Sequence, residues 1–153
     1  MNLLNVILSS IIAVIVSYFS ILNLSNVKFD LKDFIKYNIL LIPLLIVSCI
    51  FFDGATRLLL NIVFIITALY LSIFKKDISN SVYYSIIYEL LVCIFEIIVS
   101  VIIVSIFKID AKMYPKIPFS FLLSSIINCL LIYVITKIKF ISDNIRKLNK
   151  NIK

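Results

Sequence analysis

Between Ile78 and Phe107 the chain runs for thirty residues without a lysine or arginine, and its only charged side chains there are Glu89 and Glu96. At about 1.5 Å per residue, a helix of that length exceeds the ~30 Å hydrocarbon core of a bilayer. In hydrocarbon every backbone N–H and C=O must be satisfied within the segment, so the stretch is expected to be a transmembrane α-helix, tilted or protruding on one side. A carboxylate at that depth is costly and calls for a reason. Glu89 and Glu96 are seven residues apart, which sets them on one helix face, about 10 Å apart along the axis. Ser81, Ser85, Cys93 and Ser100 fall in the same third of the helical wheel, and Ile, Leu, Val, Phe and Tyr fill the rest. The expectation is a single polar stripe turned towards protein, water or a ligand.

The rest of the chain follows the same pattern. It is 63% hydrophobic, with one glycine and no histidine, and its mean hydropathy is +1.16. Soluble domains average about 45–50% apolar residues. Long apolar runs separated by short charged loops make this an all-α polytopic membrane protein whose solvent is the lipid bilayer. The net charge of +7 is explained by basic loops, so no nucleic-acid partner is expected. Five spans are drawn, at residues 3–24, 34–52, 58–74, 82–107 (within Ile78–Phe107) and 117–136, followed by a basic tail at 138–153. Lys36 can snorkel at the start of the second span, and Pro43 in its middle kinks it or borders a cavity. Asp53-Gly54-Ala55-Thr56-Arg57 reads as a very tight hairpin, using the only glycine where a turn needs a positive φ. The first span has no basic leader, too long an apolar run and no A-x-A-like cleavage site, so it is expected to stay in the mature protein.

Orientation follows from the lysines and arginines. With the C-terminus in the cytoplasm, eleven lie inside and four outside: Arg57, Lys108, Lys112 and Lys116. This predicts N-terminus out and C-terminus in, as an odd number of spans requires. The implied location is a bacterial inner or plasma membrane, crossed several times.

Cys49, Cys93 and Cys129 sit in three different spans without a CxxC pair, and with no histidine there is no expected metal site. The same absence removes Ser-His-Asp and Cys-His catalysis, and a single glycine cannot build a phosphate loop. No catalytic residue, cofactor or enzyme activity is expected. The glutamates therefore read as ligand-contact, proton-path or coupling groups, or as structural groups hydrogen-bonded to neighbouring helices. Arg57 has two readings: an i, i+4 clamp on Asp53, or a cavity residue that meets Glu96 or a ligand carboxylate. Tyr83, Tyr84 and Tyr88 read as interfacial or packing residues.

At the end of the fifth span, Leu131, Val134, Ile138, Ile141, Ile145, Leu148 and Ile152 recur at alternating spacings of three and four. That is a heptad seam running from the membrane into the cytoplasm, suited to a parallel two-stranded coil and hence to a homodimer. The other reading is a basic amphipathic helix lying on the anionic inner leaflet.

The short hairpin with an arginine opening the third span, the basic turn "FKKDISNS" and the span carrying "YELLVCIFEIIVS" resemble the membrane sensor part of Agr-type quorum-sensing histidine kinases, of the GHKL-ATPase group. The resemblance covers roughly residues 35–107, and the tail fits the helix that leads to the kinase in that family. It implies a dimeric receptor that detects an extracellular peptide and relays the signal to a histidine kinase, as a domain or as a separate partner. That family often has six or seven spans, against five here. The 153 residues carry no phosphoacceptor histidine or ATP-binding domain, so the resemblance implies a sensor domain or a stand-alone relative. The competing expectations are a small transport or substrate-capture subunit using the Glu89/Glu96 stripe, and a structural accessory subunit. The lack of an inverted repeat weakens the transport reading.

Overall fold

The structure, a computed structural model, describes residues 3–108 and 120–152, and in 107, 120, 121, 151 and 152 the backbone alone. Lys112, Lys116, the expected start of the fifth span at Ile117, and Lys153 lie outside the described residues, as does the side chain of Ile152. All regular structure among the described residues is helical: α1 (Leu3–Ser25), α2 (Leu31–Phe51), α3 (Gly54–Leu71), α4 (Ile78–Phe107), α5 (Ser120–Lys137) and α6 (Lys139–Ile152). Of these, α1 to α4 are each long and apolar enough to cross a membrane, while α5 and α6 meet that test together as a pair bent by 75°.

Local chemistry sets the helix ends. Asp30 caps α2, its carboxylate accepting the Lys32 N–H at 2.8 Å. Asp77 caps α4 by accepting the Asn80 N–H at 3.1 Å. These caps start both helices a few residues before the apolar runs predicted. Between α2 and α3 only Phe52 and Asp53 intervene, so the expected hairpin is even tighter than drawn. Gly54 takes φ 55°, as expected of the single glycine. Nothing lies within 4 Å of where its Cβ would stand. The need for glycine here comes from backbone conformation, and steric crowding plays no part. The third span therefore begins at Gly54 instead of Leu58, which moves Arg57 into the first turn of a helix. Pro43 is accommodated inside α2 on an outward face.

The core forms around α1. Half of its apolar window is buried, against 17% for α4, and it packs on α2, α4, α5 and α6. Val14, Tyr18, Ile21 and Leu24 of α1 meet Tyr37 and Leu41 of α2, Ile65 and Leu69 of α3, Tyr84 and Tyr88 of α4, and Ile132 of α5. Lipid tails are as apolar as leucine, so burying Leu or Ile between spans gains little, and close packing and hydrogen bonds hold the helices together. The bonds fit that account. Ser17 and Tyr37 share one at 2.9 Å between α1 and α2. Tyr18 donates to the Asp30 carbonyl at 3.1 Å, and Ser48 of α2 donates to Asn61 of α3 at 2.6 Å. Many other large aliphatic side chains of α2, α3 and α4, such as Ile39, Leu59, Ile97 and Ile106, face outward.

The expected unbroken helix from the fifth span into the tail is not what forms. The Ile138 N–H closes α5 by bonding the Ile135 carbonyl at 3.0 Å, and the Ile138 carbonyl opens α6 by accepting from Ile141 at 3.0 Å and Ser142 at 3.1 Å. There α6 turns by 75° and crosses the ends of α1 and α5. Side chains on the flank of the seam cause this. Ser142 and Asn149 are buried, and Arg146 is partly so. Tyr83 of α4 donates to the Ile145 carbonyl at 2.8 Å, and Asn149 donates to Asn80 at 2.8 Å. Arg146 reaches the Asn23 carbonyl at 3.4 Å and pairs with Asp143. Of the seam residues, Val134, Ile138 and Leu148 face out at 57%, 45% and 56% exposure, while Ile141 and Ile145 are partly covered.

Candidate functional site

The polar stripe of α4 divides into two parts. Ser81, Ser85 and Glu89 are buried in the half nearer α6. Glu96 lies on the inward line between Val92 and the buried Val99, yet it is exposed because the helices part beside it. The space they leave is a cavity of about 140 Å³ to which all five apolar helices contribute. Its walls are Ser9 and Ser10 of α1, Leu45 and Cys49 of α2, Arg57 and Asn61 of α3, Tyr88, Val92 and Glu96 of α4, and Ser125, Asn128 and Cys129 of α5.

Two of the residues singled out in the sequence, Arg57 and Glu96, are thus brought to the same cavity. The expected clamp is absent: no ion pair joins Arg57 to Asp53 among the described residues. Asp53 occupies the N-cap position of α3 without a side-chain cap bond and stays exposed at the hairpin. The reason is the register of α3. Once the helix begins at Gly54, Arg57 is turned inward beside Asn61 one turn further on. Glu89 does not line the cavity. It sits deeper, 7% exposed, within electrostatic reach of Tyr37, Arg57 and Glu96. The tail residues Ile138, Ile141, Ile145 and Leu148 lie at the opposite end of the bundle.

The most informative residue of the cavity is one the sequence reading passed over. Asn128 is 9% exposed, and its Oδ1 has no hydrogen-bond partner among the described residues. A buried carbonyl oxygen left unpaired costs roughly 1–3 kcal/mol, so most such groups are satisfied. Arg57, Glu96 and Asn128 therefore surround one space without bonding one another, and together they could bind a group carrying both acceptors and donors. Isolated polar residues in apolar spans were the signal available: the Ser9-Ser10 pair, Asn61 and Asn128. The free thiols Cys49 and Cys129 belong to the same wall.

Towards α6 the cavity lining ends at buried side chains. Tyr88 and Ile132 form its floor, and beneath them lie the buried Tyr18, Ile21, Tyr37 and Leu41. No protein-family model matches this chain, and no curated protein or solved structure is significantly similar to it.

Proposed function

We propose that the chain is a membrane receptor module that admits part of an extracellular ligand at the 52–57 hairpin and relays the event to α6 on the cytoplasmic side. The observation carrying this reading is the cavity, in which five spans set a cation, a carboxylate and an unpartnered buried carbonyl around one space. Such a set is expensive at membrane depth unless something occupies it. At about 140 Å³ the space falls below the 300–1,000 Å³ of sites that enclose a whole small molecule. It suits a single side chain or chain terminus, with the remainder of the ligand outside, as a peptide would bind. A carboxylate would meet Arg57, and an N–H donor would meet Asn128 Oδ1 and Glu96.

The buried floor supports capture and signalling over a transport path. So does the double role of two helices. α1 and α4 line the cavity through Ser9, Ser10, Tyr88 and Glu96, and the same helices hold α6 through Asn23, Asn80 and Tyr83. A ligand that shifts either helix alters the seat of α6, and the bend at Ile138 is a joint that could take up the shift. The resemblance to Agr-type sensors points to the same class, with a peptide signal, a homodimer and a histidine kinase downstream.

The test uses proteoliposomes carrying a Cys93→Ala/Cys129→Ala chain, so that Cys49 is the only thiol. The secreted peptide fraction of the producing strain should slow maleimide labelling of Cys49 severalfold, and Arg57→Gln should remove the protection. Uptake of a solute or of protons by the same liposomes, lost in Glu96→Gln, would make the chain a transport subunit instead.

A further inference from the structure

The end of the bundle that carries α6 has a chemistry of its own. Segments 28–36, 75–77 and 137–150 hold ten lysines and arginines against four aspartates. One of the four, Asp143, is already paired with Arg146, and another, Asp33, with Lys75 at 3.7 Å. Between α6 and the ends of α1 and α4 lies a cleft of about 280 Å³ whose walls include Arg146, Lys150, Asn80, Asn149, Tyr84 and Ser25. Val27 and Phe74 complete the lining, so apolar surface lies beside the two cations, and no carboxylate is among the described lining residues, although Arg146 is paired with Asp143.

The outer surface of α6 differs from its bundle-facing side. Phe140 is 75% exposed and Leu148 56%, and Lys139, Lys147 and Lys150 also face out. The 75° bend turns the axis of α6 close to the membrane plane when α5 stands across the bilayer. In that position Phe140 and Leu148 lie near the boundary between headgroups and acyl chains, and the lysines lie at headgroup depth. A solvent-exposed phenylalanine beside three lysines is an unfavourable surface in water and a favourable one at an anionic lipid interface.

We infer that α6 is an interfacial helix that binds anionic phospholipid, with Phe140 and Leu148 in the acyl boundary and a phosphate headgroup held between the cleft and Lys147 and Lys150. Charge complementarity selects this occupant: Lys150 at a cleft with apolar walls and the exposed Lys139 and Lys147 beside Phe140 and Leu148 match a phosphate joined to a hydrocarbon chain. The inference is independent of what the cavity at the other end binds.

The chain contains no tryptophan, so Phe140→Trp supplies a unique fluorescent reporter. The full chain carrying it is reconstituted in nanodiscs of phosphatidylcholine containing either brominated phosphatidylglycerol or brominated phosphatidylcholine in equal proportion. Quenching by the brominated anionic lipid should be at least about twice that by the zwitterionic one, and the preference should shrink as salt rises. Lys147→Glu/Lys150→Glu should abolish the preference, while an unchanged hydrogen-exchange pattern in α6 shows that the helix stays docked, since neither lysine takes part in its bonds to the bundle. Equal quenching by both lipids overturns the headgroup site. No quenching by either overturns the interfacial placement. Relief of the anionic preference by inorganic phosphate alone, beyond what sodium chloride of equal ionic strength produces, would make it a site for a soluble anion and overturn the lipid assignment.

Discussion

At the hairpin end of the bundle, Arg57, Glu96 and Asn128 surround a cavity without bonding one another. At the α6 end, Tyr83, Asn80, Asn149 and Arg146 are joined across the helices. Both ends place polar side chains in an apolar protein. Those that hold α6 are bonded across helices, although the Asn23 side-chain N–H there lacks a partner among the described residues, while the Asn128 carbonyl at the cavity lacks one too. Unpaired donors and acceptors around a space cost stability and leave capacity for a ligand, whereas paired ones fasten one element to another. The comparison separates a candidate recognition site from a fastening within one small bundle.

Four sets of substitutions test this contrast. The largest effect is expected from Arg57→Gln, which removes the only cation among the described residues of the cavity wall. Hydrogen bonds to charged groups contribute about 1.5–3 kcal/mol, so ligand protection of Cys49 should weaken by roughly ten- to a hundredfold with little change in thermal stability. A large loss of stability would instead mean that Arg57 is a structural residue. Asn128→Leu should have opposite consequences for binding and folding. It removes an unpaired acceptor, so the ligand-free protein should gain about 1 kcal/mol in a detergent melting assay while losing ligand protection. A destabilised Asn128→Leu would show that a water or lipid group satisfies Oδ1 and that the cavity is not held in reserve.

At the other end the sign reverses. Tyr83→Phe deletes one made bond and should cost about 0.5–1.5 kcal/mol, seen as faster hydrogen exchange confined to α6. Adding Asn149→Ala should deepen that effect, and exchange spreading into α1 would mean that α6 is part of the core. The smallest expected effect is that of Gly54→Ala, about 1 kcal/mol from the left-handed backbone alone, since open space surrounds the position. Its loss should appear in melting, with Cys49 protection retained.

Much of this organisation can be read without coordinates. Runs of apolar residues mark the spans because a bilayer tolerates only closed backbone hydrogen bonding, and a lone glycine between two such runs marks a turn. Arg57 and Glu96 were also legible as a candidate pair, because charges in apolar helices must face something polar. The central position of α1 was not. Hydropathy cannot tell a lipid-facing leucine from a buried one: α4 has the most apolar window, yet only 17% of it is buried, against 50% for α1. The serines of α1 were the available sign, since small polar residues permit close helix contact. Four of them, Ser9, Ser10, Ser17 and Ser20, are buried.

The tail illustrates the same limit. Its heptad spacing is genuine, but periodicity says only which side chains share a face and not what that face meets. Asn149 and Ser142 lie on the edge of the seam, and their burial turned the helix across the bundle instead of letting it extend. Sequence alone determined that the chain is a set of apolar helices, where they turn, and which few charges must be accounted for. These follow from length, hydropathy and backbone chemistry, all of which are local. The tertiary structure decided which helix is central, that Arg57 leaves Asp53 for a cavity shared with Glu96 and Asn128, and that α6 bends. Those outcomes depend on which polar groups find partners across helices, and that is settled only when the helices pack.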